Sequence, residues 1–235
     1  MLDLLNGTMS PITSEFGFVE AEPREVVKTF SNWQSQLGDH WKLDVCKEGS
    51  LADALAALLP LTNGMSLREL FLLTESPWTA YFCNLVPTAD ASSRMAVLAR
   101  FMGRRALRVV NVANTISKGD GRYGATILEI FGPEKEGQPL NYIRSISAAN
   151  DGGRWVFDQW GEQQGFEEPE HYTKRLVKDR FTSEMLDRYL RALGIRAFDS
   201  NFYKPADGLL LTRMNPPNAK ITSFSLEEAR AKYGA

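Results

Sequence analysis

The chain is poor in the residues that most often carry chemistry. Two histidines, His40 and His171, and two cysteines, Cys46 and Cys83, are spread over 235 residues. There is no CxxC pair, no H-E-x-x-H and no cysteine at ligand spacing from a histidine, so no metal site is expected. No cofactor motif is found either, and no cofactor is expected. So few cysteines also argue against a secreted disulfide scaffold. Both lie in apolar stretches, 43–46 and 78–85, and read as small buried hydrophobes. A Cys83–His171 nucleophile pair is an alternative that needs a fold to test it. The nucleophile-elbow pattern G-x-S-x-G, the S-x-x-K pattern and a Walker loop are all missing.

An excess of either charge is lacking too. Lys and Arg number 27 against 29 Asp and Glu, a net charge of -2. Such a balance gives no general attraction to phosphate backbones or anionic lipid. Long apolar runs are also missing. The longest candidates, 51–61 and 106–112, fall well short of the ~20 residues needed to span a bilayer. The first seven residues lack the basic and apolar regions of a signal peptide. The expected setting is the cytoplasm, with no membrane contact.

What is present is an ordinary globular composition, with 43% hydrophobic and 24% charged residues. This is enough to bury a real core. The polar, turn-rich stretch 1–14 reads as a loose terminus. Alternation over 15–21 predicts a short strand. Val26, Val27, Phe30 and Trp33 stand at helical spacing after Pro23 and before Gly38, which predicts a helix over 23–37. Alternation of Trp41, Leu43 and Val45 predicts a strand, and Ser50 opens a helix over 51–59. The pattern Ser66-x-x-Glu69 resembles a capping box. Even so, 70–73 and 78–85 read better as two strands around Glu75-Ser76-Pro77. Met95, Leu98, Ala99 and Met102 form the stripe of a helix that begins at Asp90 and ends at Gly103.

Four strands are expected next, over 106–112, 125–131, 140–148 and 154–160, joined by short Gly/Asp/Asn/Pro-rich linkers. That is the pattern of an antiparallel meander. The last third reads as helical: a charged stretch over 169–179, a helix over 184–193, a short strand over 209–211 and a helix capped by Ser225-x-x-Glu228. The expected fold is therefore one α+β domain over 1–235, mainly antiparallel sheet with flanking helices and a helical C-terminal third. Its ends, 1–14 and 213–235, are expected at the periphery.

Several local patterns invite a function. Gly119-Asp120-Gly121-Arg122-Tyr123-Gly124 has the letters of a dinucleotide-binding loop. That loop works by leading a strand into a helix N-terminus. Here a strand follows, so a hairpin loop is the expectation. Arg100, Arg104, Arg105 and Arg108 form a basic patch that could meet phosphate. No aromatic platform accompanies them, and nucleic acid is not the expected partner. Asp151, Asp158 and Glu162 offer carboxylates for glycoside chemistry, a weak signal in a chain with 29 acidic residues.

The most unusual segment runs from Asn150 to Gly161. On strand alternation Trp155, Phe157 and Gln159 share one face, while Arg154, Val156, Asp158 and Trp160 share the other. Arg and Trp are over-represented among binding hot spots. Arg144, Asp151, Arg154, Asp158 and Trp160 are therefore the candidate binding residues. The simpler reading is a solvated face with one cross-strand ion pair.

Three tracts carry a resemblance. They are Glu75-Ser76-Pro77-Trp78-Thr79-Ala80, the stretch Gly124-Ala125-Thr126-Ile127-Leu128-Glu129-Ile130-Phe131-Gly132-Pro133, and Asn150 through Asp158. They resemble tracts in a set of uncharacterised bacterial cytosolic proteins, over about residues 65–203. The resemblance implies a bacterial cytosolic origin and carries no activity or site residue with it. Together these features lead to the expectation of a bacterial protein-interaction module, such as an immunity protein or accessory subunit, with another protein as its partner. The alternative is a hydrolase or small-ligand enzyme with its site on the sheet face, using Arg144, Asp158 and His171.

Overall fold

The computed structural model describes residues 2–46, 48–87, 89–116, 121–134, 140–216 and 220–233. The strands and helices in chain order are β1 (Glu15–Val19), α1 (Pro23–Gln36), β2 (Trp41–Val45), α2 (Leu51–Ala56), β3 (Leu61–Asn63), β4 (Arg68–Thr74), β5 (Thr79–Cys83), α3 (Ala91–Met102), β6 (Ala106–Val112), β7 (Ala125–Phe131), β8 (Tyr142–Asp151), β9 (Arg154–Gly161), α4 (Ser183–Ala192), β10 (Tyr203–Arg213), β11 (Thr222–Phe224) and α5 (Leu226–Tyr233). Nine of the strands form one sheet in the order β2-β10-β4-β5-β1-β6-β7-β8-β9. Every neighbouring pair in it is antiparallel. No helix among the described residues is long and apolar enough to cross a membrane.

The central strands are covered on both faces. β1 is buried at all five positions, as a strand packed from both sides must be. Phe16 and Phe18 enter one core, and Val19 enters the other beside Val26, Val27 and Phe30 of α1 and Met95, Leu98 and Ala99 of α3. The first core is closed by α2, α4, α5 and the N-terminal segment. That segment is not the loose terminus expected of 1–14, because Leu4, Met9 and Ile12 are buried. Apolar residues scattered among polar ones hid its inward side.

The sheet dominates, with few helices beside it, and this corrects the expected fold class. The C-terminal third is not helical. Its charged stretch gives two short 3-10 turns, Pro169–Thr173 and Val177–Asp179, because it has no apolar stripe to hold a longer helix against the sheet. The expected three-residue strand is eleven-residue β10, inserted between β2 and β4. Its pairing register with β4 shifts between Lys204 and Leu209, and this bulge, with Pro205 and Gly208, broke the alternation that would have revealed it.

β8 and β9 form a tight hairpin paired from Arg144↔Gly161 to Asp151↔Arg154. Its two-residue turn is Gly152-Gly153, with φ of +59° and +101°, the left-handed conformation that right-twisted hairpins favour and glycine adopts without strain. On one face the hairpin is clamped by Arg144. The guanidinium is 3% exposed and donates to both carboxylate oxygens of Glu167, at 2.8 and 2.7 Å. It also donates to the carbonyls of Trp160 and Gly161 and to Gln159 Oε1. Tyr172 Oη donates to Glu167 and lies 3.0 Å from Tyr189 Oη. This network ties residues 162–172 and α4 to the sheet.

Breaking one partner of a buried pair strands the other charge. Arg144→Met is therefore expected to lower stability by about 3–5 kcal/mol, read as a fall in the urea midpoint at unchanged slope. A loss within experimental error would show that the clamp is dispensable.

Candidate functional site

On the other face a line of buried charge crosses the sheet below the start of α3. Asp90, at the N-cap position, has a left-handed φ of +49° and gives no side-chain cap. The cap comes from Glu15 on β1, whose carboxylate accepts from the N–H groups of Ala89 and Ala91 at 3.3 and 3.2 Å. A carboxylate there suits the positive end of the helix. Arg108 Nε donates to Glu15 at 2.8 Å and its Nη1 to Glu129 at 3.3 Å. Ser92 Oγ donates to Glu129 as well. Further along, Glu69 is fully buried, accepts from Tyr81 Oη and has Arg94 3.5 Å away. Burial pushes the Glu69 carboxyl above its ordinary value, outweighing the nearby Arg94. Burial likewise pushes the neighbouring Cys83 thiol up to about 12.

α3 packs across β1, β6 and β7, and the same face of β8 and β9 is open. Cross-strand registers fix which side chains share it. Val110 pairs with Ile127, Ile127 with Ser147 and Ser147 with Asp158. Val112, Ala125, Ala149 and Val156 form the next row, and Asp151 faces Arg154 beyond it. Trp160 is 54% exposed and Val156 45%. The Trp160 ring packs edge-on to Tyr142 at 6.3 Å.

A cleft of roughly 580 Å³ opens on this face where β6 and β7 meet the start of β1. Its floor is Val110, Val112, Ala125 and Ile127, and Tyr123 and Tyr233 stand at its rim. Arg108, Arg122 and Lys232 are its cations. Arg108 is spent on Glu15 and Glu129. Arg122 is half-buried, and its Nη1 donates to Ser14 Oγ at 3.0 Å and Ser10 Oγ at 3.5 Å. Among the described residues it meets no carboxylate, and burial lowers its pKa. Lys232 Nζ lies over the Phe224 and Tyr233 rings, at 4.7 and 5.6 Å, and has no acidic partner among the described residues.

The structure brings Asp151, Arg154, Asp158 and Trp160 to one exposed face. It does not bring Arg144 there, because pairing with Gly161 puts Arg144 in the row that points to the opposite core. His171 belongs to the segment covering that opposite side, beside Glu168 and Glu170. The trio Arg144, Asp158 and His171 thus does not converge on the open face. Ligand atoms of Glu168, Glu170 and His171 lie within 4.8 Å of one another, but Glu168 is already held by Arg188 through two hydrogen bonds.

The arginine patch is largely neutralised. Arg105 is paired with Glu20, Arg108 with Glu15 and Glu129, and Arg100 lies 3.9 Å from Glu134. In the glycine motif, Gly119 and Asp120 lie outside the described residues. Gly121, at φ +102°, sits where a Cβ would fall 2.5 Å from the Thr115 carbonyl oxygen. The N–H groups of Thr115 and Ile116 donate to the Arg122 carbonyl, and β7, a strand, follows. Sequence reading did not single out Glu15, Glu69, Glu129 or Arg122 as site residues, and it read Arg108 only as part of a basic patch. The available signal was a glutamate inside otherwise apolar strands, as in Arg68-Glu69-Leu70-Phe71-Leu72 and Thr126-Ile127-Leu128-Glu129-Ile130.

Because the pKa of Glu69 is raised by folding, its contribution to stability is complete below the ordinary 4.5 and is lost as pH rises through the raised value. The stability of Glu69→Gln relative to the parent should therefore climb as pH rises above 4.5 through the raised value. Urea melts of both proteins at several pH values check this, and a constant or falling difference would refute it.

No protein-family model matches the chain, and neither a search of curated proteins nor one of solved structures finds a match.

Proposed function

We propose that the chain is a binding protein whose open-face cleft receives a small organic anion. The observation that carries this reading is the half-buried Arg122, which faces the cleft with hydroxyl partners only and no carboxylate among the described residues. A desolvated guanidinium left this way gains most from an anion that forms charge-assisted hydrogen bonds. Lys232 adds a second cation, and the apolar floor and two tyrosines suit an aromatic or acyl body. The volume is within the range of small-molecule sites. The fitting class is a carboxylate or phosphate attached to an apolar group. Binding is favoured over hydrolysis because the cleft's carboxylate, Glu15, is fully engaged by Arg108 and the start of α3.

A protein-interaction role, as an immunity protein or accessory subunit in a bacterial cytoplasm, is the second reading. It is favoured by the exposed Trp160 and Val156 beside Arg154, an aromatic and a cation of the kind found at hot spots.

Phenyl phosphate and inorganic phosphate are the probes for the first reading, by calorimetry. Phenyl phosphate should bind more tightly, and Arg122→Gln should weaken it by about tenfold or more. No binding at millimolar concentration, or equal affinity in the variant, would overturn the reading. For the second, a tagged chain is used to recover partners from a bacterial lysate. Trp160→Ala should lose a partner that the parent retains, and a partner held equally by both counts against the open face.

A further inference from the structure

The free edge of β9 leads to a different conclusion, independent of what occupies the cleft. β9 is the last strand of the sheet and pairs with β8 alone. Its pairing with β8 runs unbroken over eight positions. An unpaired edge of this kind is a template for another strand, and natural edges are usually blunted by charge, proline or bulges. β9 has no proline or bulge; its charges are Arg154 and Asp158.

We infer that two copies of this chain associate through β9, antiparallel, about a two-fold axis at Val156. The sequence of the strand is complementary to itself about that residue. Arg154 of one copy stands opposite Asp158 of the other, and the reverse, so the charges that guard the edge neutralise each other. Trp160 falls opposite Gly152, which has no side chain and nothing within 4 Å of a notional Cβ. On the other face Trp155 meets Phe157. Directly opposed side chains of opposite charge, or both aromatic, are the pairs that stabilise antiparallel strands. The two contacts are equivalent by symmetry, as a closed dimer requires.

Within one copy these charges are unsatisfied. Among the described residues the Arg154 guanidinium makes no hydrogen bond or ion pair, even with Asp151 opposite it in the hairpin, and the Asp158 carboxylate accepts only from the adjacent N–H of Gln159, at 2.9 Å. The opposite edge of the sheet differs. There Lys42 and Asp44 of β2 pair with each other at 2.8 Å, and the edge offers no charge in need of a partner. This contrast assigns the association to β9. One short strand makes a small interface, at the weak end of stable association.

The test is sedimentation of the whole chain from about 1 to 500 µM, a range suited to a small interface. The parent should shift from monomer to dimer with concentration. Arg154→Asp and Asp158→Arg should each weaken self-association by on the order of tenfold or more, because like charges then oppose each other twice. The two variants mixed should dimerise with each other, and the double variant Arg154→Asp/Asp158→Arg should regain self-association. Both positions are exposed, so circular dichroism should stay unchanged, and Arg154→Asp, which then faces Asp151 across the hairpin, should lower the melting temperature only slightly. A parent monomeric throughout, single variants that dimerise as the parent does, or a mixture that fails to pair would each overturn the inference.

Discussion

A carboxylate buried near the middle of the sheet governs what the face above it can be. Glu15 opens the central strand β1 and is only 5% exposed. A charge so placed costs several kcal/mol unless it is paired and hydrogen-bonded. Its partners are specific: two N–H groups at the start of α3 and the Arg108 guanidinium. α3 must therefore begin over Glu15. From that point it crosses β1, β6 and β7, and its cover ends there. The open face of β8 and β9, and the cleft beside it, follow from where that helix is anchored.

The opposite face shows why the sheet extends beyond α3. A hairpin exposed on both sides would be marginal. Residues 162–172 and α4 cover one side of β8 and β9, held by Arg144, Glu167, Tyr172 and Tyr189. Trp155 and Phe157 pack into that covered side. The strand is left with one buried and one wet face, and its alternation of aromatic and polar residues follows from that. Arg144 therefore builds the platform for the open surface without belonging to it.

Much of this was legible in local patterns. Strands β6, β7, β8 and β9 have period-two alternation and glycine-rich turns, and α1 and α3 have helical spacing ended by Gly38 and Gly103. These signals are local because the periodicity of each element reflects its own buried side. The residues of the candidate cleft were not legible. Arg122 lies in a loop, and its solitude depends on Ser10, Ser14 and Lys232 arriving from distant parts of the chain. Arg144 read as a surface residue because its partner, Glu167, comes from a later segment with no regular pattern. The long β10 was hidden for a third reason: a bulge resets its alternation halfway. Charge partners and bulges are non-local or aperiodic, and periodicity is blind to both.

The geometry also bounds how edge and cleft can relate. A two-fold axis perpendicular to the sheet keeps each face continuous, so two copies joined at β9 present both open faces on the same side. The floor of each cleft lies on β6 and β7, two strands in from the joined edge on the β7 side. From β7 of one copy to β7 of the other is five strand spacings, about 24 Å. A small anion in one cleft would not touch the other, and any coupling would pass through the β8–β9 ladders. Those ladders are regular, and their far face is clamped by Arg144 in each copy. A joined pair would thus act as two equivalent, independent sites on one surface.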